Sequence, residues 1–393
     1  MGIPFNKLTA VIDLAAIVHN YELLNKAGGA VIPVIKADAY GHGLLQVAQV
    51  LSQAGAQTFA VGTVEEAVAL RAGGHAKTII ALLGPVDPAE YQALWDANIM
   101  PFIHTFDQLK RVLAMALERG AGVCGASAAT GGVKARADEG EEALAIALKF
   151  DTGMRRLGFT LADVSQIAAL LKGVPNVRPV MLSSHLATAD EPEGGDYVAA
   201  QAAEFLAIRE ALEREGFPCR ANLANSAALL GNPELRFDAQ RAGIALYGAN
   251  PYAGTAKAAL GQGLKPAMSV KTVVLSVHAL KAGQTISYGC AYTAQRDMTV
   301  AVVAAGYADA YSRGLTGKAW MCLHGKRVPV LGRICMQMCA VDVTGLEDVA
   351  AGDDVWLLGG GGAGRISPEE LAGWWGTIPY EVFCLLGLNK RAY

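Results

Sequence analysis

The 393-residue sequence is short of charge. Its 33 Lys+Arg and 36 Asp+Glu make up 18% of the chain, against about 25% in an average soluble protein. The two signs nearly balance at a net −3, with no basic run and no acidic tail, which argues against nucleic acid as a main partner. A run able to span a membrane is also missing. The longest uncharged stretch, residues 39–64, is broken by Gln46, Gln49, Ser52, Gln53 and Gln57. The opening MGIPFNKLTA has no apolar core behind a basic start, so no secretory signal is expected. The cysteines number seven, an odd count with no CxxC pair, which suits thiols in a reducing cytoplasm. Cys335 and Cys339 have no partner at finger spacing, so no metal site is expected. Neither GxxxxGK[ST] nor HExxH occurs. What is abundant is hydrophobicity, at 52%, and this excludes disorder over the whole chain. Glycine is also in excess, with 45 residues and no every-third period, so it reads as tight turns and close backbone approaches.

Over the first 250 residues two periods alternate. Apolar β-branched runs centred near residues 34, 60, 80, 102, 149, 182, 222 and 245 are separated by amphipathic stretches. In residues 44–54, for example, Gln46, Gln49 and Gln53 fall on one helical face and Leu44, Val47, Val50 and Leu51 on the other. Eight strands alternating with helices predict an α/β fold, a parallel (β/α)8 TIM-type barrel, with an open doubly wound sheet as the competing topology. After about residue 260 the helical period fades into short runs divided by Gly, Pro and Asp, an all-β pattern. Two domains are therefore expected: a barrel over 9–255 and a mainly β domain over 256–393. Residues 120–133 (GAGVCGASAATGGV) have no periodicity and read as a loop or insertion.

In such a barrel chemistry gathers at the C-terminal strand ends. There the sequence puts Lys36, then Lys149 and Asp151 followed by Arg155 and Arg156, then His185, then Asn225 and Ser226, then Arg241 and Gly243. Each has a plain structural explanation by itself: a snorkelling lysine, a solvated basic loop, a satisfied histidine. Together they say more. A buried lysine can condense with a carbonyl. Ser226 and the N–H groups about Gly243 and Ile244, after strands seven and eight, form a candidate phosphate cradle. Lysine plus phosphate site points to pyridoxal 5'-phosphate. It equally fits a Schiff-base aldolase, which leaves the β domain unexplained.

Nine segments in order add a resemblance. VIKADAYGHG (34–43), KFDTGMRRLG (149–158), HLATAD (185–190), ANSAA (224–228), RAGIALYG (241–248), ISYGCAYTA (286–294), AGYADAYSR (305–313), GRICM (332–336) and PYEV (379–382) are similar to motifs of the alanine racemase family, from about Ala10 to Tyr380. The resemblance implies a pyridoxal 5'-phosphate isomerase that supplies D-alanine for peptidoglycan. Lys36 would hold the cofactor and act as one base. Tyr288 would be the other, supplied by the neighbouring subunit of a homodimer. Arg241 would face the ring nitrogen, and His185 would bond both Arg241 and Tyr288. Tyr40, Asn225, Ser226, Gly243, Ile244 and Tyr380 would line the cofactor and its phosphate. Arg156 and the Met336 N–H would take the substrate carboxylate, with Tyr307 and Arg313 near the way in. Lys149 would be the lysine that is often carbamylated.

Some residues depart from the family pattern. Gln337 stands where Asp is usual, Ala310 and Ser312 replace Gly and Pro, and Phe150 is bulkier than expected. Gln337 leaves open a racemase of other or broader range, acting on serine or lysine. A decarboxylase on the same plan would be expected to carry Glu in place of Arg241, and a non-enzymatic cofactor-binding barrel would not need the β domain.

Overall fold

The computed structural model describes residues 6–122 and 143–393. Its first strand, β1 (Thr9–Ile12), is followed by eight parallel strands: β2 (Val31–Pro33), β3 (Thr58–Val61), β4 (Thr78–Ala81), β5 (Met100–Ile103), β6 (Leu144–Lys149), β7 (Val177–Ser183), β8 (Arg220–Asn222) and β9 (Gln240–Ala242). β3 to β8 form one six-stranded sheet in sequence order, and β2 pairs with β9. Single bridges, Val34 to Ala60 and Asn222 to Ala239, join the two sheets into a ring. The barrel topology is therefore the observed one, not the open sheet.

Helices pack outside this ring for the reasons the sequence gives. Leu44–Gln53 buries Leu44, Val47, Ala48 and Leu51. Strand-to-helix turns are fixed by capping boxes, Thr63 with Glu66 and Asp87 with Glu90, which satisfy N–H groups at the helix starts. The eighth strand differs from expectation. It ends at Ala242, and residues 244–247, read as its centre, form a 3-10 turn packed on the helix Leu14–Gly28. The helix Phe106–Gly122 takes in residues 120–122, and the rest of the presumed insertion lies outside the described residues.

The second half is antiparallel: β10 (Met268–Leu280), β11 (Thr285–Ile286), β12 (Tyr292–Thr293), β13 (Met298–Val303), β14 (Trp320–Leu323), β15 (Lys326–Leu331), β16 (Cys339–Asp342), β17 (Asp354–Leu358) and β18 (Lys390–Ala392). The order β13-β16-β15-β14-β17-β10 closes on itself through β10–β13 pairing. The sheet does not begin at residue 256. β1 joins it, antiparallel to β10 and parallel to β18, so both ends of the described chain are stitched into the β domain. Two short helices, Pro368–Trp375 and Pro379–Leu386, then lead back to the barrel mouth. No described helix is long and apolar enough to cross a membrane.

Candidate active site

Lys36 follows β2 at the barrel's C-terminal mouth. The four residues after it, Ala37, Asp38, Ala39 and Tyr40, all have φ between 53° and 55°. This is a left-handed turn without glycine, costing about 1–2 kcal/mol per residue. The Lys36 amine is held below its ordinary pKa, by burial first and then by Arg156 and Arg241, against the opposing pull of Cys384 and Glu66.

Arg241, on β9, is 5% exposed. It donates to Ser183 Oγ, to the carbonyls of Ser184 and Asn222, and at 3.3 Å to His185 Nδ1, so it ties together the ends of β7, β8 and β9. Burial, then Arg156, lower its pKa to about 10, so it stays a cation at neutral pH. His185 is driven well below its usual value by burial and by Arg241, Arg156, Lys149 and Lys36, and is neutral. With Nδ1 accepting from Arg241, the proton sits on Nε2.

Lys149 ends β6, is 7% exposed and donates to the Phe150 carbonyl at 2.6 Å. Burial and Arg241 bring its pKa to about 7, with Asp151 pulling the other way. Asp151 shapes the next loop. Its carboxylate accepts the N–H groups of Gly153, Arg155 and Arg156, which sets where the exposed Arg156 side chain starts. Burial raises the Asp151 pKa, but these bonds and Lys149 outweigh it and hold it low.

The opposite wall is a compact cradle. Ser226 Oγ accepts from Gly243 N at 2.9 Å and from Ala245 N at 3.3 Å. A Cβ on Gly243 would lie 2.6 Å from Tyr40 Oη, so only glycine lets that hydroxyl approach. The Tyr40 ring lies 4.7 Å from Tyr247 and 5.9 Å from Tyr380, which reaches in from the β domain. Asn225 Oδ1 caps the helix Ser226–Gly231 at Ala228 N. Ile244 is buried beside the cradle.

The structure thus gathers Lys36, Tyr40, Lys149, Arg156, His185, Asn225, Ser226, Arg241, Gly243, Ile244 and Tyr380 about one mouth. Tyr288, Tyr307 and Met336 form a separate patch on the β domain and are 69%, 44% and 58% exposed. The backbone beneath them is fixed: Tyr307 N donates to Cys335 O, Ala308 N to Met336 O, and Ser287 Oγ to Arg333 O. Arg313 opens a 3-10 turn capped by Ser312. Among the described residues, Tyr288 makes no hydrogen bond to His185 within the chain. Sequence reasoning missed Ser183, Asn222 and Gln201. Gln201 binds the 185–187 loop from both sides, at His185 O (3.0 Å) and Ala187 N (2.9 Å). Its polar place on an otherwise apolar helix face was the available signal. Such a mouth, with several cations, a neutral imidazole and a low amine, suits a ligand carrying two anionic groups and a carbonyl.

A family model described as alanine racemase, N-terminal domain, matches residues 12–251, and one described as alanine racemase, C-terminal domain, matches 267–393. The chain is 50% identical over 393 residues to an alanine racemase of Nitratidesulfovibrio vulgaris (strain Miyazaki F), with all of both chains covered. It is 40% identical over 383 residues to one of Lawsonia intracellularis, covering 97% of this chain and 96% of the relative. Among solved structures, the alanine racemase from E. faecalis superposes with a TM-score of 0.86 at 29% identity, over all of both chains. That from Bartonella henselae, with covalently bound pyridoxal phosphate, gives 0.82 at 27%, over 98% of this chain and 99% of the other.

Proposed function

The chain belongs to the alanine racemase family and interconverts L- and D-alanine with pyridoxal 5'-phosphate, and on that premise we propose that Lys36 and Tyr288 are its two bases, one on each face of the substrate Cα. The residues present fit the cofactor. Lys36 offers an amine of lowered pKa, and the Ser226–Gly243–Tyr40 cradle, closed by Tyr380, offers donors for a phosphate. When bound, the cofactor would supply an aldehyde for an amino group and a ring able to take up the electron density released at the substrate Cα.

The chain's own groups do the rest. Racemisation needs a proton removed on one face and returned on the other. A lowered pKa leaves more of the Lys36 amine free to take a proton near neutrality. Arg241 would face the ring nitrogen as a donor and would not protonate it, since its pKa of about 10 keeps the guanidinium intact. Neutral His185, bound to Arg241 through Nδ1, presents Nε2–H to the second base. Arg156 holds the substrate carboxylate, with Met336 and Tyr307 brought up on the second subunit. Lys149, near half neutral at pH 7, can take up carbon dioxide, and the carbamate would turn a cation into an anion facing Arg241 and Arg156.

The observation that carries this reading is the set of Lys36, Lys149, Arg156 and Arg241 about a neutral His185 in one mouth. The relatives' shared activity favours alanine over serine or lysine. A homodimer is supported by the exposed Tyr288 patch, and a cytoplasmic place by the six described cysteines, all free. We divide the domains at residues 255 and 256, a cut that falls between the matched family models, with β1 crossing into the β domain. A chiral assay over a panel of L-amino acids tests the reading. Formation of D-alanine alone, lost in Lys36→Ala, is the expected result. Comparable D-serine or D-lysine formation would overturn the alanine assignment.

A further inference from the structure

The left-handed turn of residues 37–40 is unfavourable for each residue in it, so its surroundings must hold it. The braces are specific. From the barrel, Glu66 Oε1 accepts Asp38 N at 3.1 Å, while Glu66 Oε2 anchors on Gly62 N at 2.7 Å. Asp38 Oδ1 accepts Leu44 N at 2.7 Å and so starts the next helix. From the β domain, Arg391 pairs with Asp38 Oδ2 at 2.5 Å, and the Arg391 side chain is only 19% exposed. The same segment presses on the turn twice more. Phe383 O and Gly387 lie against Gly41, where a Cβ would meet that carbonyl at 2.5 Å, and Tyr393 Oη lies against Gly43.

Arg391 is not on a loose tail. It sits on β18, which pairs with β1, and β1 pairs with β10, the long strand of the β domain. The ion pair therefore fastens Asp38, two residues after Lys36, to a hydrogen-bonded sheet. We propose that Arg391, acting through Asp38, is a positioning residue for Lys36: the β domain holds the strained turn that sets where the lysine amine stands. This rests on the reading of Lys36 as the base that also holds the cofactor.

The test uses the full-length holoenzyme. In Arg391→Met, kcat per cofactor-loaded subunit should fall ~10–100-fold, the scale of a misplaced reacting group, while KM for alanine stays within about twofold. Two readouts are independent of turnover. The dissociation constant for pyridoxal phosphate should rise about tenfold, and amide exchange over residues 37–41 should quicken. Arg391→Lys, which keeps the charge, should restore most of the loss. Asp38→Asn, which keeps an acceptor for Leu44 N, serves where Arg391→Met folds poorly, and the double variant should be no worse than the worse single one. A merely structural arginine would lower the melting temperature and leave kcat per loaded subunit and the dissociation constant within about twofold of the parent. That result, or fully additive losses in the double variant, overturns the proposal. A Lys36→Ala protein that still racemises alanine would instead overturn the reading of Lys36 itself.

Discussion

Lys149 and Arg241 are each less than a tenth exposed, and Arg241 adds to burial in lowering the Lys149 pKa, whereas Tyr288 is 69% exposed and hydrogen-bonds to neither. The buried groups of the barrel mouth are held in place within one chain. Its arginine, on β9, is bonded to the ends of β7 and β8, its histidine is kept neutral by burial and cationic neighbours, and its loop is wound on Asp151. The β-domain patch has an equally fixed backbone, yet its aromatic and methionine side chains face outward. A rigid backbone presenting exposed Tyr and Met suits contact with a partner. The difference teaches that the two proposed bases come from two regions built for different settings. One is pre-set by burial, and the other, on the proposed reading, would be delivered by a second subunit.

The largest effect should come from the finished region. Lys36→Ala removes both the cofactor's anchor and one base, and kcat should fall by ~10³–10⁴-fold or more, measured by chiral chromatography. Tyr288→Phe should cost ~10²–10⁴-fold in racemisation, and because the side chain is exposed the melting temperature should not move. Run in D2O, this variant should still exchange the α-proton of one enantiomer, on the Lys36 face, without inverting it. Exchange into both enantiomers at equal rates would break the contrast between the two regions.

Smaller effects sharpen it. Gly243→Ala puts a methyl 2.6 Å from Tyr40 Oη, so the cradle must open. Pyridoxal phosphate affinity should drop about tenfold, read by equilibrium dialysis, the scale of one lost hydrogen bond. Lys149 tests burial directly. Its folded pKa of about 7 lies below the ordinary 10.5, so the charged amine opposes folding. That opposition is complete below pH 7 and fades as pH rises toward 10.5. Lys149→Met should therefore stabilise the protein at pH 6, on the order of 1–2 kcal/mol by denaturant melts, and less at pH 9. An equal gain at both values would show that burial does not set the state of the mouth.

These regions were unequally legible in the sequence. Seven barrel strands coincide with apolar runs because both faces of a barrel strand are buried. The eighth was displaced because AGIALYG is apolar for another reason: it is buried beneath the helix Leu14–Gly28, and periodicity cannot separate a buried strand from a buried turn. β1 was read with the barrel because a four-residue strand carries no mark of its partner, here β10. Lys36, His185 and Arg241 could be picked out because charged or polar side chains at the ends of apolar strands are unusual. Ser183, Asn222 and Gln201, which hold them, are common residues in such positions and gave little signal. The left-handed turn was hidden altogether, since ADAY contains no glycine to announce positive φ.

The central claim, a site shared between two subunits, is met most directly by mixing two inactive proteins. Lys36→Ala and Tyr288→Phe subunits, allowed to exchange at equal amounts, give hybrids in which one site carries both changes and the other carries neither. Activity should return to about a quarter of the parent's, as random pairing of a closed dimer requires. No recovery, with exchange verified by mass spectrometry, would contradict the shared site and return Tyr288 to its own chain.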